Sequence, residues 1–298
     1  VNLPLVVDGL LPVDKSVGPT SHQVVAEARR ALGLRRIGHT GTLDPFASGL
    51  LLLCLGTSTR LAEYFDAFPK GYQARARLGE STDTEDREGQ VIARSEGWRS
   101  LDPQVVADCL SAMVGDRWQR PPAYSAKRVE GRRAHELARE GELLELPAVP
   151  VRIHSIEVES IELPELTFRV RCSTGTYIRA IARELGELLG VGGHLRELRR
   201  TEIGPFRVED ALPQAALVHP DLPNRHRISP LDALRDRFPV VPLGAEELRR
   251  IELGQRILTR DPALPEGGLV LLADGERLSA VARRVGEGLH PEKVFHHA

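Results

Sequence analysis

Cysteine is scarce in this chain. Its 298 residues include three, Cys54, Cys109 and Cys172, far apart and odd in number. No disulfide framework and no thiolate metal cluster is expected, only free thiols in a reducing compartment. Long apolar runs are also missing. None approaches the ~18 residues of a membrane-crossing helix. Val1 to Gly9 lacks the charged start and apolar stretch of a secretory leader, so a cytoplasmic location is expected. Strong net charge is absent: 40 Lys and Arg against 42 Asp and Glu leave a formal −2. Lysine occurs only at Lys15, Lys70, Lys127 and Lys293. The remaining basic residues are arginines, whose planar forks suit phosphates and base edges. No internal repeat is evident. No second His or Cys stands at ligand spacing from His194, so zinc is rejected and no metal is expected. What remains is an apolar content of 41% with 28% charged residues. That is an ordinary globular composition, at a length that fits one large domain and a small one.

The near-neutral total conceals sorted charge. From Arg117 to Arg139 seven basic residues face two acidic ones; from Glu80 to Glu88 five acids face Arg87 alone. Sorting of this kind steers a polyanion more than the total does. The basic stretch opens with Gln119-Arg120-Pro121-Pro122-Ala123-Tyr124-Ser125-Ala126-Lys127-Arg128, where two prolines and an aromatic among cations predict a protruding arm. A basic helix over 132–141 is expected to follow. Such a patch is suited to RNA. The acidic run lacks the ligand spacing of a calcium loop and reads as a capped turn.

One stretch stands out chemically: Gly38-His39-Thr40-Gly41-Thr42-Leu43-Asp44-Pro45-Phe46-Ala47-Ser48-Gly49. Its glycines and proline forbid regular structure. The run Leu50–Leu55 behind it reads as a buried strand. Asp44 precedes a proline, which biases its backbone towards extended conformations. The loop therefore offers one carboxylate from a rigid support. Either a catalytic group or a capped tight turn fits that pattern.

Elsewhere, Thr20 and Gln23 form a capping box for a helix carrying Val24, Val25 and Ala28. Lys15, just before it, is either a surface lysine, which the sequence favours, or a charge that orients the site loop. Thr57-Ser58-Thr59 is expected to cap a helix through Phe65. Gly71–Gly79 alternates like a half-exposed strand, with Tyr72 either a core aromatic or a ring that stacks on a base. Residues 102–114 read as a helix, and 151–161 with 167–173 as paired strands. A well-striped helix follows Gly175, with Tyr177 and Arg179 in its first turn. A first-turn arginine opposes the helix dipole and calls for a partner, such as a carboxylate. Beyond a Pro-rich connection (213–242), a short helix and an Asp274-Gly275 hairpin predict a small β-rich unit.

In this order the segments resemble bacterial tRNA pseudouridine-55 synthases, the TruB family. The matching motifs are Asp14–Ser21, Gly38–Pro45, Gly71-Tyr72, Leu78–Gly89, Gln119–Ala126, Gly175–Arg179 and Leu198–Arg200, spanning roughly residues 10–210. The resemblance implies an α+β (mixed α/β) fold around a largely antiparallel sheet. It implies a catalytic domain over 1–235 with an RNA-gripping arm at 119–148, and a PUA-like RNA-binding domain over 240–298. The implied reaction converts uridine 55 in the tRNA T loop to pseudouridine, by base flipping, without a cofactor. Asp44 is the implied catalytic residue; attack at C1′, attack on the base and removal of the C2′ proton all stay open. Tyr72 would stack on the flipped uracil, with Tyr177 and Leu198 lining its pocket. Arg179 would pair with Asp44 and keep it ionised by lowering its pKa. His39 would hold the flipped RNA, and Lys15 would contribute to the substrate site. Arg120, Tyr124, Lys127, Arg128 and Arg132 would contact RNA from the arm. Arg128 and His135 depart from the usual Lys and Tyr. The implied partner is the tRNA T-arm, bound by a monomer. A tRNA-folding chaperone with little or no catalysis is the alternative, and a metal-dependent hydrolase built on the acidic loop is a third.

Overall fold

The computed structural model describes residues 8–125, 146–219, 221–259 and 261–296, with the backbone alone at 128–129 and 132–133. Alternating or fully apolar segments pair into a ten-stranded sheet. Its main path runs Leu212–Pro213, Gly9–Lys15, Ser48–Leu55, Gly193–Ile203, Lys70–Leu78, Glu165–Cys172, Val149–Glu162 and Gly115–Gln119. Neighbours are antiparallel except at two short parallel contacts. One joins Val13–Asp14 to Leu212–Pro213, and the other joins Ser48–Gly49 to Arg199–Arg200. The all-apolar Leu50–Leu55 run is buried on both faces because it lies inside this sheet. Leu50, Leu52 and Cys54 face one core, and Leu51, Leu53 and Leu55 the other, as a period of two requires. The strongly amphipathic helix Ile178–Leu188 packs Ile178, Ile181 and Leu185 against Phe168, Val170, Ala74 and Ala76.

Several expectations are met closely. The Thr20–Gln23 capping box opens the helix Ser21–Leu32, with Gly33 left-handed at its end. The helix at 102–114 is shorter, Pro103–Ser111, with Asp102 as cap. The acidic run is the capped turn expected of it, with Asp83 accepting from the Gln90 amide and Asp86 from the Glu88 amide, though it is entered through a short strand, Glu80–Thr82, paired with Val91–Arg94. Other expectations fail for identifiable reasons. Gly56–Ala67 forms 3₁₀ turns, and its first-turn cap comes from outside the expected trio: the Asp8 carboxylate accepts from the Thr57 amide, while Ser58 accepts from the Gly9 amide and Thr59 donates to the Gly56 carbonyl. The basic helix expected from 132 begins instead with Arg132–Arg133 in a strand pair with Arg128–Val129. Residues 134–141 lie outside the described residues.

A second sheet of five strands holds the hairpin Leu269–Asp274/Arg277–Val285, with Gly288–Val294, Val240–Pro242 and Ile257–Leu258. The helix Ala245–Glu252 packs on it. This sheet shares a core with the first. Leu271, Ala273, Leu278, Val281 and Phe295 join Leu61, Tyr64 and Phe65 of the 3₁₀ segment. Lys293 pairs with Glu63, and Arg60 lies 5.1 Å over the Phe295 ring.

Candidate active site

The Asp44 loop is fastened at every turn. Pro45 sits where a type I turn favours it, and the Ala47 amide donates to the Asp44 carbonyl at 3.1 Å. On one side, the buried Ser21 hydroxyl accepts from the Leu43 amide (2.8 Å) and donates to the Leu43 carbonyl (3.1 Å). On another, the Gly18 amide donates to the Pro45 carbonyl at 2.8 Å. Underneath lies Arg200, 1% exposed, which donates to the carbonyls of Gly41, Thr42 and Leu50 at 3.1, 3.4 and 2.7 Å. Gly49 has φ +103°, and a Cβ there would stand 2.3 Å from the Arg200 carbonyl oxygen. Only glycine lets the loop re-enter the sheet so close to this strand.

Asp44 projects into a cleft of about 240 Å³ walled by Tyr72, Tyr177, Leu198, Lys70 and the 174–176 turn. That is below the ~300–1,000 Å³ of drug-sized ligand pockets, and suits one flat ring. Arg179 grips the carboxylate with both ends of its fork: Nε to Oδ2 at 3.0 Å and Nη2 to Oδ1 at 3.4 Å. The same guanidinium donates to the Thr84 and Tyr124 carbonyls, both at 2.9 Å, and to Asp86 Oδ2 at 3.3 Å. Its four Nη hydrogens are thereby spent on protein, and Nε lies against the carboxylate. Arg179 is a hub that ties the Asp44 loop to the acidic turn and to the root of the arm. The first-turn arginine thus has its carboxylate.

The charge balance corrects one expectation. Burial raises the Asp44 pKa more than Arg179 lowers it; Asp86 adds to the rise, and Lys15 and Arg200 oppose it. The net direction is upward, because a crowded cleft strips water from the carboxylate although 34% of its side chain stays open.

Tyr72 is 9% exposed, its hydroxyl hydrogen-bonded to Arg200, and burial raises its pKa. Tyr177 caps the Ile178–Leu188 helix. Its amide donates to the Gln119 side chain and its carbonyl accepts from it (2.8 and 3.1 Å), while its hydroxyl meets Ser125. Leu198 is buried on the cleft wall. Asp44, Tyr72, Tyr177, Arg179 and Leu198, from distant segments, therefore converge.

Two expected residues stand apart from the cleft lining. Lys15 is fully buried, not on the surface, and donates to the Ser16 and Pro19 carbonyls at 2.9 and 2.8 Å. It fixes the turn that carries Gly18. Burial lowers its pKa to about 8. His39 accepts from the Gly41 amide at 3.2 Å and meets His22 edge to face. Burial, His22 and Arg200 lower its pKa to about 4, so it is neutral. Of the arm residues, the Arg120 carbonyl accepts from Arg183 and the Tyr124 carbonyl from Arg179. Lys127 and the side chains of Arg128 and Arg132 lie outside the described residues.

Asp86, Lys70 and Arg200 also belong to the site, although no local pattern in the sequence marks them as site residues. Asp86, 5% exposed, is held by Thr84 and the Glu88 amide and turned inward beside a left-handed Glu85 (φ +63°). One signal was available: Arg199 and Arg200 alternate on a strand, so one of them must face inward.

The fold agrees with what comparison finds. Residues 29–178 match the model for the TruB family pseudouridylate synthase N-terminal domain. Residues 179–234 match the tRNA pseudouridylate synthase B C-terminal domain. A tRNA pseudouridine synthase B of Thermobifida fusca is 42% identical over 297 residues, covering 97% of this chain and 98% of its own. That of Corynebacterium efficiens is 40% identical over 295 residues, covering 94% and 97%. Among solved structures, a Cbf5-Nop10-Gar1 complex aligns with TM-score 0.75 at 26% identity, over 97% of this chain and 85% of that one. An H/ACA RNP bound to a substrate RNA containing 2′-deoxyuridine aligns with TM-score 0.74 at 25% identity, over the same shares. The cleft thus sits on a pseudouridine-synthase fold. The chain belongs to the TruB family of pseudouridylate synthases, which are isomerases.

Proposed function

We propose that this protein isomerises uridine to pseudouridine at position 55 in the T loop of tRNA, with Asp44 as the catalytic group. The observation that carries the reading is the Asp44 carboxylate, forked by Arg179 and open to a ring-sized cleft between two tyrosines. The relatives' names supply the class of RNA.

In the reaction the N1–C1′ bond breaks, the ring turns, and C5 bonds to C1′. The C5 proton leaves and N1 gains one. Nothing is oxidised, so the stoichiometry calls for no cofactor. A stacked base cannot reach a side chain, so the uridine flips out of its loop. Tyr72 stacks on it and Tyr177 and Leu198 flank it. Arg179 aims the carboxylate, and the raised pKa makes Asp44 a stronger nucleophile or base than a free carboxylate. His39 meets the RNA at the rim, and Lys15 acts through the turn it holds. The division of labour follows the two sheets: residues 1–235 carry the chemistry, the arm at 119–148 grips the T-arm through Arg120, Tyr124, Lys127, Arg128 and Arg132, and 240–298 form a PUA-like RNA-binding unit. The second family match ends at 234, in keeping with this boundary. The enzyme works as a monomer in the cytoplasm.

The test is tritium release from a T-arm hairpin carrying [5-³H]uridine. Asp44→Asn is expected to lower the rate by roughly 10³-fold or more while hairpin affinity holds within a few-fold. Conversion near the wild-type rate would remove Asp44 from the chemistry.

A further inference from the structure

Two cations form the cleft wall away from the Asp44–Arg179 pair. Lys70 is 6% exposed and Arg200 1%. Among the described residues neither has a carboxylate within salt-bridge distance, whereas the buried Asp86 and Arg179 pair with each other; Lys15, buried and likewise without a carboxylate, is spent on two carbonyls of its own turn. Arg200 is accounted for by the three loop carbonyls it holds and by Tyr72. Lys70 is not. Its ammonium carries three donors, and two partners are present: the Thr174 hydroxyl and, at a long 3.4 Å, the Phe68 carbonyl. Yet the side chain lines the cleft. Gly41 supplies the room beside it, since a Cβ there would stand 3.9 Å from Lys70 Cε and 3.7 Å from Arg200 Nη1. Lys15 also has a third donor to spare, but away from the cleft lining; that of Lys70 adjoins the space a flat ring would fill, where a buried cation's cost can be offset by a bound partner.

The proposed reaction generates a use. When N1–C1′ breaks, the bonding pair leaves with the base, and the uracil becomes an anion spread over its ring nitrogen and carbonyl oxygens. If the carboxylate adds to the ring instead, the charge goes to a carbonyl oxygen. Every route through Asp44 places negative charge on the base, away from the carboxylate. We propose that Lys70 is a second catalytic group, donating a hydrogen bond to a uracil carbonyl oxygen as that charge develops. Lys70 keeps its proton throughout: the pair that leaves C1′ returns when C5 bonds to C1′, and the C5 proton departs to solvent. Arg200 adds field from behind without touching the base. Burial and the Arg200 charge lower the Lys70 pKa to about 8 against the opposing pull of Asp66, a carboxylate on the same cleft, which leaves the ammonium charged at neutral pH. A preorganised donor of this kind acts in a dry site where it costs no reorganisation. The assignment rests on the pseudouridine synthase reading of the cleft and deepens it.

The same donor could instead hold a substrate phosphate, and the kinetics separate the two. Full-length Lys70→Met and Lys70→Ala are assayed on the T-arm hairpin under single turnover. The expected result is a fall of roughly 10²–10³-fold in the rate constant, with the hairpin Kd within about twofold of wild type. Methylammonium should restore part of the rate to Lys70→Ala and leave the wild type unchanged. A loss confined to Kd would assign Lys70 to a phosphate and overturn the proposal. So would an unchanged rate, or a rate loss that methylammonium cannot repair and that tracks a lowered melting temperature. Failure of the wild-type chain to convert the hairpin would sink the pseudouridine synthase reading itself, a result distinct from failure of the variants alone.

Discussion

Asp86→Asn isolates the electrostatics of the site, because it removes a charge while leaving a group of the same shape. Asp44 and Asp86 take opposite sides of one guanidinium, at 3.0 and 3.3 Å. Two carboxylates so bridged lie about 6 Å apart. At an effective dielectric constant near 20 their repulsion is ~2–3 kcal/mol, up to about two pKa units. Asp86 is one of the two influences that raise the Asp44 pKa, after burial. On the proposed reading the ionised form of Asp44 does the work, and it is lost as pH falls through its raised pKa. Removing the Asp86 charge lowers that pKa, so the acid limb of the rate profile moves to lower pH, by roughly one unit once water's screening in the open cleft is allowed for. Stability moves the other way. Asparagine Oδ1 still accepts from Thr84 and the Glu88 amide, but Arg179 loses a buried partner, at a cost of about 3 kcal/mol. The measurement is single-turnover tritium release between about pH 4 and 8, below the melting temperature of the variant. An acid limb that stays put, or moves up, would refute the claim that Asp86 tunes Asp44.

Further perturbations test how the loop is held. Ser21→Ala deletes both contacts to Leu43 and leaves a buried amide unpaired, so it should cost about 1–3 kcal/mol in denaturant unfolding and lower the rate more than the affinity. If affinity falls and rate does not, Ser21 does not position Asp44. Gly49→Ala sets a methyl 2.3 Å from the Arg200 carbonyl at φ +103°. A loss of several kcal/mol or failure to fold is expected, and a melting temperature close to wild type would show that the loop re-enters by another path.

The parts of this molecule that follow from local chemistry were legible in the sequence. The Thr20 cap, the Leu50–Leu55 strand, the 178–188 stripe and the Asp274-Gly275 hairpin depend on neighbours along the chain. Asp44 stood out because glycine and proline frame it, and Arg179 because it sits badly on its helix dipole. What stayed hidden depends on distant partners. Asp86 was one of five acids in a run, and nothing in their spacing says which turns inward to Arg179, 93 residues away. Lys15 preceded a polar turn and read as exposed, but a lysine that caps two carbonyls of that turn can be wholly buried. The Thr57–Thr59 cap failed because distant partners, the Gly9 amide and Arg36, claimed the Ser58 and Thr59 hydroxyls. The direction of the Asp44 shift depended on weighing desolvation against pairing, which requires knowing how closely the cleft closes.

The shared core between the two sheets has a mechanical corollary. Leu61, Tyr64 and Phe65 on one side and Leu271, Val281 and Phe295 on the other are one packed body, clasped at its edge by Lys293 and Arg60. The C-terminal sheet therefore cannot swing on a tether. Whatever it holds is kept at a set span from Asp44, and the molecule acts as a calliper with fixed jaws. On the proposed reading, in which the C-terminal sheet binds RNA and Asp44 acts on the base, discrimination among RNAs follows partly from length: a strand anchored at one jaw presents to the other only the nucleotide that lies at the matching span.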